Sequence, residues 1–441
     1  MFKTFRNALK IKDIRSKLIF TFIALIIVRL GSQLPVPGTN REYITAMLEA
    51  NSSLSFLNML TGGSFSNMSI FALSISPYIT SSIIMQLLTI AIPKLEELQK
   101  EGEDGRKKIA EYSRYLTVGL AIFEAGAMAI GFGRAGYLQE YNFTSVLIIV
   151  ATFTAGSAFL MWLGEEITTK GVGNGISIIL LINIVSQIPS DMVRLYAQFI
   201  GGASNIAKAI IAAVVIAVVI VAMVVLILLL QDAQRKIPVQ YAKKVQGRKT
   251  VGGQSSHIPL KVNTAGVIPV IFASSFMNFP IIIASFFGLE PARAYFIPKV
   301  LYLLDQSKWL NFRSFGEFKY SIGLVIYIIL ILFFAYFYTS VTFNPIEVAN
   351  NMKKQGGFIP GIRPGKPTTD YLTKVVNNII FIGAIGLTIV AVIPIFFSGA
   401  FGAQVSFGGT SLIIVVGVIL ETMKQIESQL LVRHYKGFLN D

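Results

Sequence analysis

The sequence predicts an all-α polytopic membrane protein with ten transmembrane helices, and three observations carry that reading. The first is composition: 54% of the 441 residues are hydrophobic and only 14% are charged, against about 25% charged in soluble domains. Mean hydropathy is +0.66. The second is a series of apolar runs close to the roughly 20 residues that a helical span requires. The third is an uneven distribution of Lys and Arg, which crowd some connections and avoid others, as cytoplasmic and external loops do.

The chain opens on "MFKTFRNALKIKDIRSK", a basic segment over 1–17. It is expected to form an amphipathic helix on the cytoplasmic membrane surface; a disordered basic leader is the competing reading. No A-x-A-like site follows, and the next apolar run ends in "GSQLPVPG", which argues for a retained first span over a signal peptide. Spans are expected near 18–34, 70–92, 112–132, 144–163, 174–190, 207–230, 264–286, 320–340, 374–396 and 409–427. The second and fifth are short. Before the second, "NMLTGGSFSNM" breaks the apolar run with Gly62, Gly63 and several Ser and Asn residues, and Pro77 marks where a helix can start.

Basic residues gather in 1–17, 94–114, 235–261 and 353–374, whereas 35–69, 133–143 and 397–408 hold almost none. With ten spans, both termini fall on the cytoplasmic side. Two cytoplasmic connections, 231–263 and 342–373, are far longer than turns. The first places Lys243, Lys244, Arg248 and Lys249 between extended flanks and predicts a protruding hairpin. The second is rich in Gly and Pro and carries Arg363 and Lys366. Such clusters suit phosphate-rich or acidic partners, although orientation alone would also place basic residues there.

A short internal echo joins the second and seventh spans. "PYITSS" (77–82) and "PVIFAS" (269–274) share P-x-I-x-x-S. An odd number of spans per repeat inverts the second copy, so the echo fits two inverted, pseudo-symmetric halves of five, 18–200 and 201–427, with a tail over 428–441.

Enzymatic chemistry has little to work with. The chain has no cysteine and two histidines, His257 and His434, both in polar segments. "GIRPGKPTTD" (361–370) resembles a phosphate loop, but Pro360 replaces its first glycine and Pro367 removes a needed backbone N–H. No catalytic residue, metal or cofactor is expected. What remains is polarity inside the spans. Glu124 in "LAIFEAGAM" lies within the third span, where a carboxylate costs about 2.5–3.5 kcal/mol even on the lenient insertion scale. It should face a protein interface or a wet cavity, unless it snorkels to the surface. Asn183 and Asn278 carry the same logic with less force.

"FLNMLTGG", "SIFALSISPYITSSIIMQLL", "EGEDGRKKIAEYSRYLT", "GVGNGISIIL", "HIPLKVNTAGVIPVIFASS", "GGFIPGIRPGKPT" and "FGGTSLIIVV" occur in that order. Together they resemble the bacterial SecY family of protein-conducting channels, over nearly the whole chain. The resemblance implies an hourglass of two five-span halves that open sideways, with a re-entrant plug helix over 56–68. The ring at its waist would comprise Ile75, Ile79, Leu180, Ile184, Ile271 and Ile414. The plug would include Phe56, Leu57, Leu60, Thr61, Gly62, Gly63, Ser64 and Phe65. Thr80, Ile83, Glu124 and Phe279 would line the lateral gate, Glu124 being charged where some relatives carry an uncharged polar residue. Lys243, Lys244, Arg248, Lys249, Arg363 and Lys366 would meet the ribosome and the SecA ATPase. Further implied partners are SecE and SecG subunits, signal peptides and nascent chains, and membrane lipids, in a bacterial cytoplasmic membrane.

Physics gives such a ring a rationale. A narrow aliphatic waist offers no hydrogen bonds, so it dewets and blocks ions without holding a passing chain, and β-branched Ile fills it with few rotamers. Taken one by one, the same residues would pass for ordinary core or lipid-facing aliphatics. Two other classes stay open on the residues alone. A secondary transporter also uses broken helices and inverted repeats, but gathers polar ligands at mid-depth. A non-conducting scaffold would not require an interrupted second span.

Overall fold

A computed structural model describes residues 6, 8–39, 58–134, 136, 138–201, 206–241, 244–246, 249–251, 255–286, 296–304, 310–311, 319–401 and 409–437. Helices dominate, and each expected span coincides with one: α1 (Lys12–Gly31), α2 (Ser76–Ala91), α4 (Glu103–Arg134), α5 (Phe143–Lys170), α6 (Gly175–Leu195), α7 (Ile206–Asp232), α8 (Ile268–Phe286), α10 (Ile322–Thr342), α12 (Lys366–Phe401) and α13 (Gly409–Gly437). Three shorter helices, α3 (Pro93–Lys100), α9 (Phe296–Leu304) and α11 (Pro345–Lys354), lie between them. Among the described residues six stretches are long and apolar enough to cross a membrane by length and composition: α4, α5, α6 with the turn after it, most of α7, α10 running into α11, and most of α12. The pair α2–α3, bent by 101°, would be a seventh.

Several helices outrun their apolar segments. α4 begins at Glu103, well before residue 112, because its first turns are held in water by side-chain pairs such as Lys107 with Glu103 at 3.2 Å. α5 likewise continues to Lys170, which pairs with Glu166 at 2.6 Å. The first span is also longer at its start: α1 runs unbroken from Lys12, with a bend at Ile11. Ile14 and Ala8 are buried there against Val172 and Ile426, so this basic segment docks partly on protein. Caps define other starts. Asn174 accepts from the Ser177 N–H at 3.2 Å, and Ser321 accepts from the Leu324 N–H at 3.3 Å.

The described parts of the first long connection form the expected hairpin. β1 (Gln234–Tyr241) pairs antiparallel with β4 (Ser255–Lys261), and between them β2 (Lys244–Gln246) pairs with β3 (Lys249–Val251). The second connection joins the same sheet: β7 (Gly357–Phe358) adds to the far edge of β1, giving the order β4-β1-β7. A separate two-stranded pair, β5 (Leu310–Asn311) and β6 (Lys319–Tyr320), precedes α10.

The interior divides into separate apolar cores. One gathers α4 and α5 around Phe132 and Phe153. A second gathers α7, α8, α10, α12 and α13 around Tyr327, Ile331 and Val390. A third lies between them and draws on both sets of helices. It positions the site.

Candidate functional site

The third core holds all six predicted ring residues. Ile75, Leu180, Ile184 and Ile414 are buried within it, and Ile79 and Ile271 pack against it half-buried. Four of the helices that build it, α1, α2, α5 and α6, come from the first part of the chain, while Ile271 on α8 and Ile414 on α13 come from the second. The echo seen in the sequence has a structural counterpart. Pro77 and Pro269 are each the second residue of their helix, and Ile79 and Ile271 are each the fourth. Proline is tolerated there because the first helical N–H groups have no intrahelical acceptor.

Residues 58–75 fold onto this core. Among the described residues only 58–60 are helical, and 61–68 continue as turns; Phe56 and Leu57 lie outside the described residues. Gly62 and Gly63 end the helix at φ of +66° and +83°. A Cβ on Gly62 would stand 2.8 Å from the Asn183 Cα, so glycine is required there by space as well as by φ. Thr61 caps the turn: its Oγ1 donates to the Asn58 carbonyl at 3.1 Å and accepts from the Phe65 N–H at 3.2 Å. Leu60 joins the ring core, whereas Phe65 is buried in the α4–α5 core with its ring 6.1 Å from Phe132. Ser64, 1% exposed, is enclosed with them.

The segment is tied at both ends. At its rear, the Val36 N–H donates to the Met68 carbonyl at 2.8 Å and the Ile70 N–H to the Leu34 carbonyl at 3.0 Å. At its front, Arg29 Nη1 on α1 donates to the Gly62 carbonyl at 3.0 Å. Asn183 Nδ2 on α6 donates to the Leu60 carbonyl and to Ser74 Oγ, both at 3.1 Å. Met68 and Ser74 adopt left-handed backbone at φ of +46° and +51°, which costs non-glycine residues about 1–2 kcal/mol each. Asn183 is signalled in the sequence as an intramembrane polar residue. Arg29 passes unremarked there; an arginine inside the apolar "IIVRLGS" was the signal that could have found it.

The predicted gate residues occupy the neighbouring helices. Thr80 and Ile83 are half-buried on α2, and Ile83 packs against the second core, which includes α8. α4 packs against both α2 and α8. The α2–α4 contact is polar at one point, where Ser81 Oγ donates to the buried Ser113 carbonyl at 2.6 Å. Glu124 is half-buried on α4, with no ion pair or hydrogen bond among the described residues. Phe279 on α8 is 44% exposed. The Asn278 side chain lies outside what is described.

Of the basic residues, Arg363 and Lys366 are exposed. Their loop is fixed from within, since Thr368 Oγ1 donates to the Arg363 carbonyl at 2.8 Å and leaves the guanidinium free to reach outward. Lys244 and Lys249 fall in β2 and β3, while Lys243 and Arg248 lie outside the described residues.

A family model described as SecY matches residues 69–423. The chain belongs to the SecY family. Relatives named protein translocase subunit SecY include that of Halalkalibacterium halodurans, 46% identical over 446 residues, and that of Bacillus subtilis, 44% identical over 448, each covering 100% of both chains. Among solved structures, one described as a protein conducting channel superposes with a TM-score of 0.65 at 18% identity, over 94% of this chain and 92% of that one. Sec61 in a canine ribosome–channel complex gives 0.61 at 17% identity, over 94% and 92%. At these identities the structures support the SecY fold alone, and the residue-level reading rests on the geometry above.

Proposed function

We propose that this SecY chain is the protein-conducting subunit of a translocase, passing unfolded polypeptides across a membrane and releasing apolar segments sideways into it. The observation that carries the reading is the aliphatic core built by Ile75, Ile79, Leu180, Ile184, Ile271 and Ile414 from both parts of the chain, with residues 58–65 folded against it. In that arrangement the six side chains are the ring, a seal with no fixed charge. Residues 56–68 are the plug that covers the ring from the external side. Ten spans cross the membrane as inverted halves, 18–200 and 201–427, with both termini cytoplasmic in a bacterial cytoplasmic membrane.

The halves part between α2 and α8, where Thr80, Ile83, Glu124 and Phe279 meet an entering signal helix. The turn after α6, a single wide turn over Tyr196–Gly201 that leads into α7, is the hinge. SecE and SecG are the membrane partners. The ribosome and the SecA ATPase supply the driving force by docking on Lys243, Lys244, Arg248, Lys249, Arg363 and Lys366. The six side chains at the meeting point of the helices are aliphatic and offer none of the polar ligands that a transporter site gathers. The test is reconstitution of the full chain with its membrane partners in vesicles. Uptake of a secretory polypeptide should require an intact signal sequence and ATP hydrolysis by the motor; uptake indifferent to both would overturn the reading.

A further inference from the structure

The plug is fastened at its front by two side chains that no aliphatic seal requires. We infer that Arg29 and Asn183 form a polar latch that sets how readily the plug leaves; this rests on the channel reading above. Both donors reach backbone carbonyls, Arg29 at Gly62 and Asn183 at Leu60, so the latch is indifferent to the plug's side chains. It depends only on the path of the chain through Gly62, whose close approach to the Asn183 backbone brings the carbonyls within reach.

Asn183 carries a second sign of its role. It is 2% exposed among Ile178, Ile179, Leu180 and Ile184, and its Oδ1 is buried without a hydrogen-bond partner. A polar side chain that leaves its own acceptor unmet contributes poorly to packing. Its two donated bonds tie Leu60 to Ser74, the front of the plug to the strained residue just before α2. Arg29 stands in the last turn of α1, where a cation is favourable to the helix regardless of the plug. The plain alternative is therefore that Arg29 only finishes a helix and Asn183 only fills the core.

The latch also explains how release can be local. The rear of the plug is held by the strand-like bonds between 34–36 and 68–70, which involve neither residue. Breaking the two front contacts leaves only the apolar burial of Leu60 and Phe65 to hold the front, while the rear stays tethered. A translocating chain that takes the place of residues 60–62 carries their carbonyls away from α1 and α6, so both donors lose their acceptors together.

The native chain has no cysteine, so Ser64→Cys gives a single reporter at a position enclosed when the plug is seated. The full complex in vesicles is treated with a water-soluble maleimide applied from the external side. Arg29→Met and Asn183→Ala should each raise the labelling rate of the resting channel about tenfold, and ion leak should rise with it. Arg29→Lys, which keeps a cationic donor, should restore most of the protection. Unchanged labelling in both Arg29→Met and Asn183→Ala would overturn the latch. A fall in thermal stability without a change in labelling would do the same, since that is the mark of a purely structural role. Should Asn183→Ala not assemble, the Arg29→Met and Arg29→Lys pair decides alone. If the unaltered chain in the same vesicles never translocates a polypeptide, the channel reading fails, whereas the comparison of resting labelling rates still judges the latch.

Discussion

Ile414 and Ile79 illustrate how the same residue type takes different risks in the proposed ring. Ile414 is 2% exposed and surrounded, whereas Ile79 is half-buried at the start of α2. Asparagine at either place puts an amide where no partner waits. At Ile414 the unmet groups cost on the order of 1–3 kcal/mol, and thermal stability should fall by about that amount. At Ile79 the amide can draw water into the waist at a smaller cost. Both Ile79→Asn and Ile414→Asn should increase resting ion conductance and let poor signal sequences pass, measured by flux and by export of a reporter with a crippled signal. Unaltered conductance and selectivity in both would count against these two as ring members.

The two long connections, 231–263 and 342–373, share one sheet, an arrangement that the sequence did not disclose because β7 is only two residues long. Pairing of Gln240 with Phe358 and of Tyr241 with Gly357 sets the second loop beside the first hairpin. Arg363 lies just beyond that strand, exposed, with its backbone rather than its side chain engaged by Thr368. Arg363→Glu should therefore leave folding and assembly intact while motor-driven export drops by at least tenfold; normal export from correctly assembled protein would refute its docking role. The hairpin tip makes a different prediction. Reversing Lys243, Lys244, Arg248 and Lys249 should weaken ribosome binding, and the remaining affinity should depend less steeply on salt than the parent's, because fewer phosphate counterions are released. Identical salt slopes in sedimentation assays would rule out an electrostatic dock.

At the scale of the whole molecule, the two parts of the chain have their own apolar cores and meet through a third. Separate cores allow the parts to move as units, because displacement breaks the shared contacts and leaves each interior intact. Ile83 on α2 packs on the second core, to which α8 also belongs. Cysteines introduced as Ile83→Cys and Phe279→Cys and joined by a flexible bifunctional reagent should stop sideways release of an apolar segment. Reduction of a cleavable linker should restore it, and release from the fully linked protein would disprove a gate at this seam.

Apolar length, by itself, located the long helices and their order, though not the short helices α3, α9 and α11, because burial in lipid acts on each apolar segment before any partner is present. It also located the interrupted second span, since Gly62, Gly63 and Pro77 act on the local backbone. Helix ends were legible only to the edge of the apolar runs: the water-facing turns of α4 and α5 are stabilised by Glu–Lys pairs that hydropathy does not register. The six ring aliphatics were indistinguishable by type from dozens of others, and the family resemblance selected them. Only the tertiary structure decided that they share one core and that Arg29 and Asn183 meet the carbonyls of Gly62 and Leu60. The physical reason is separation along the chain. A contact between Asn183 and Leu60 leaves no periodic trace in either segment, because its acceptor is a backbone carbonyl that every residue carries.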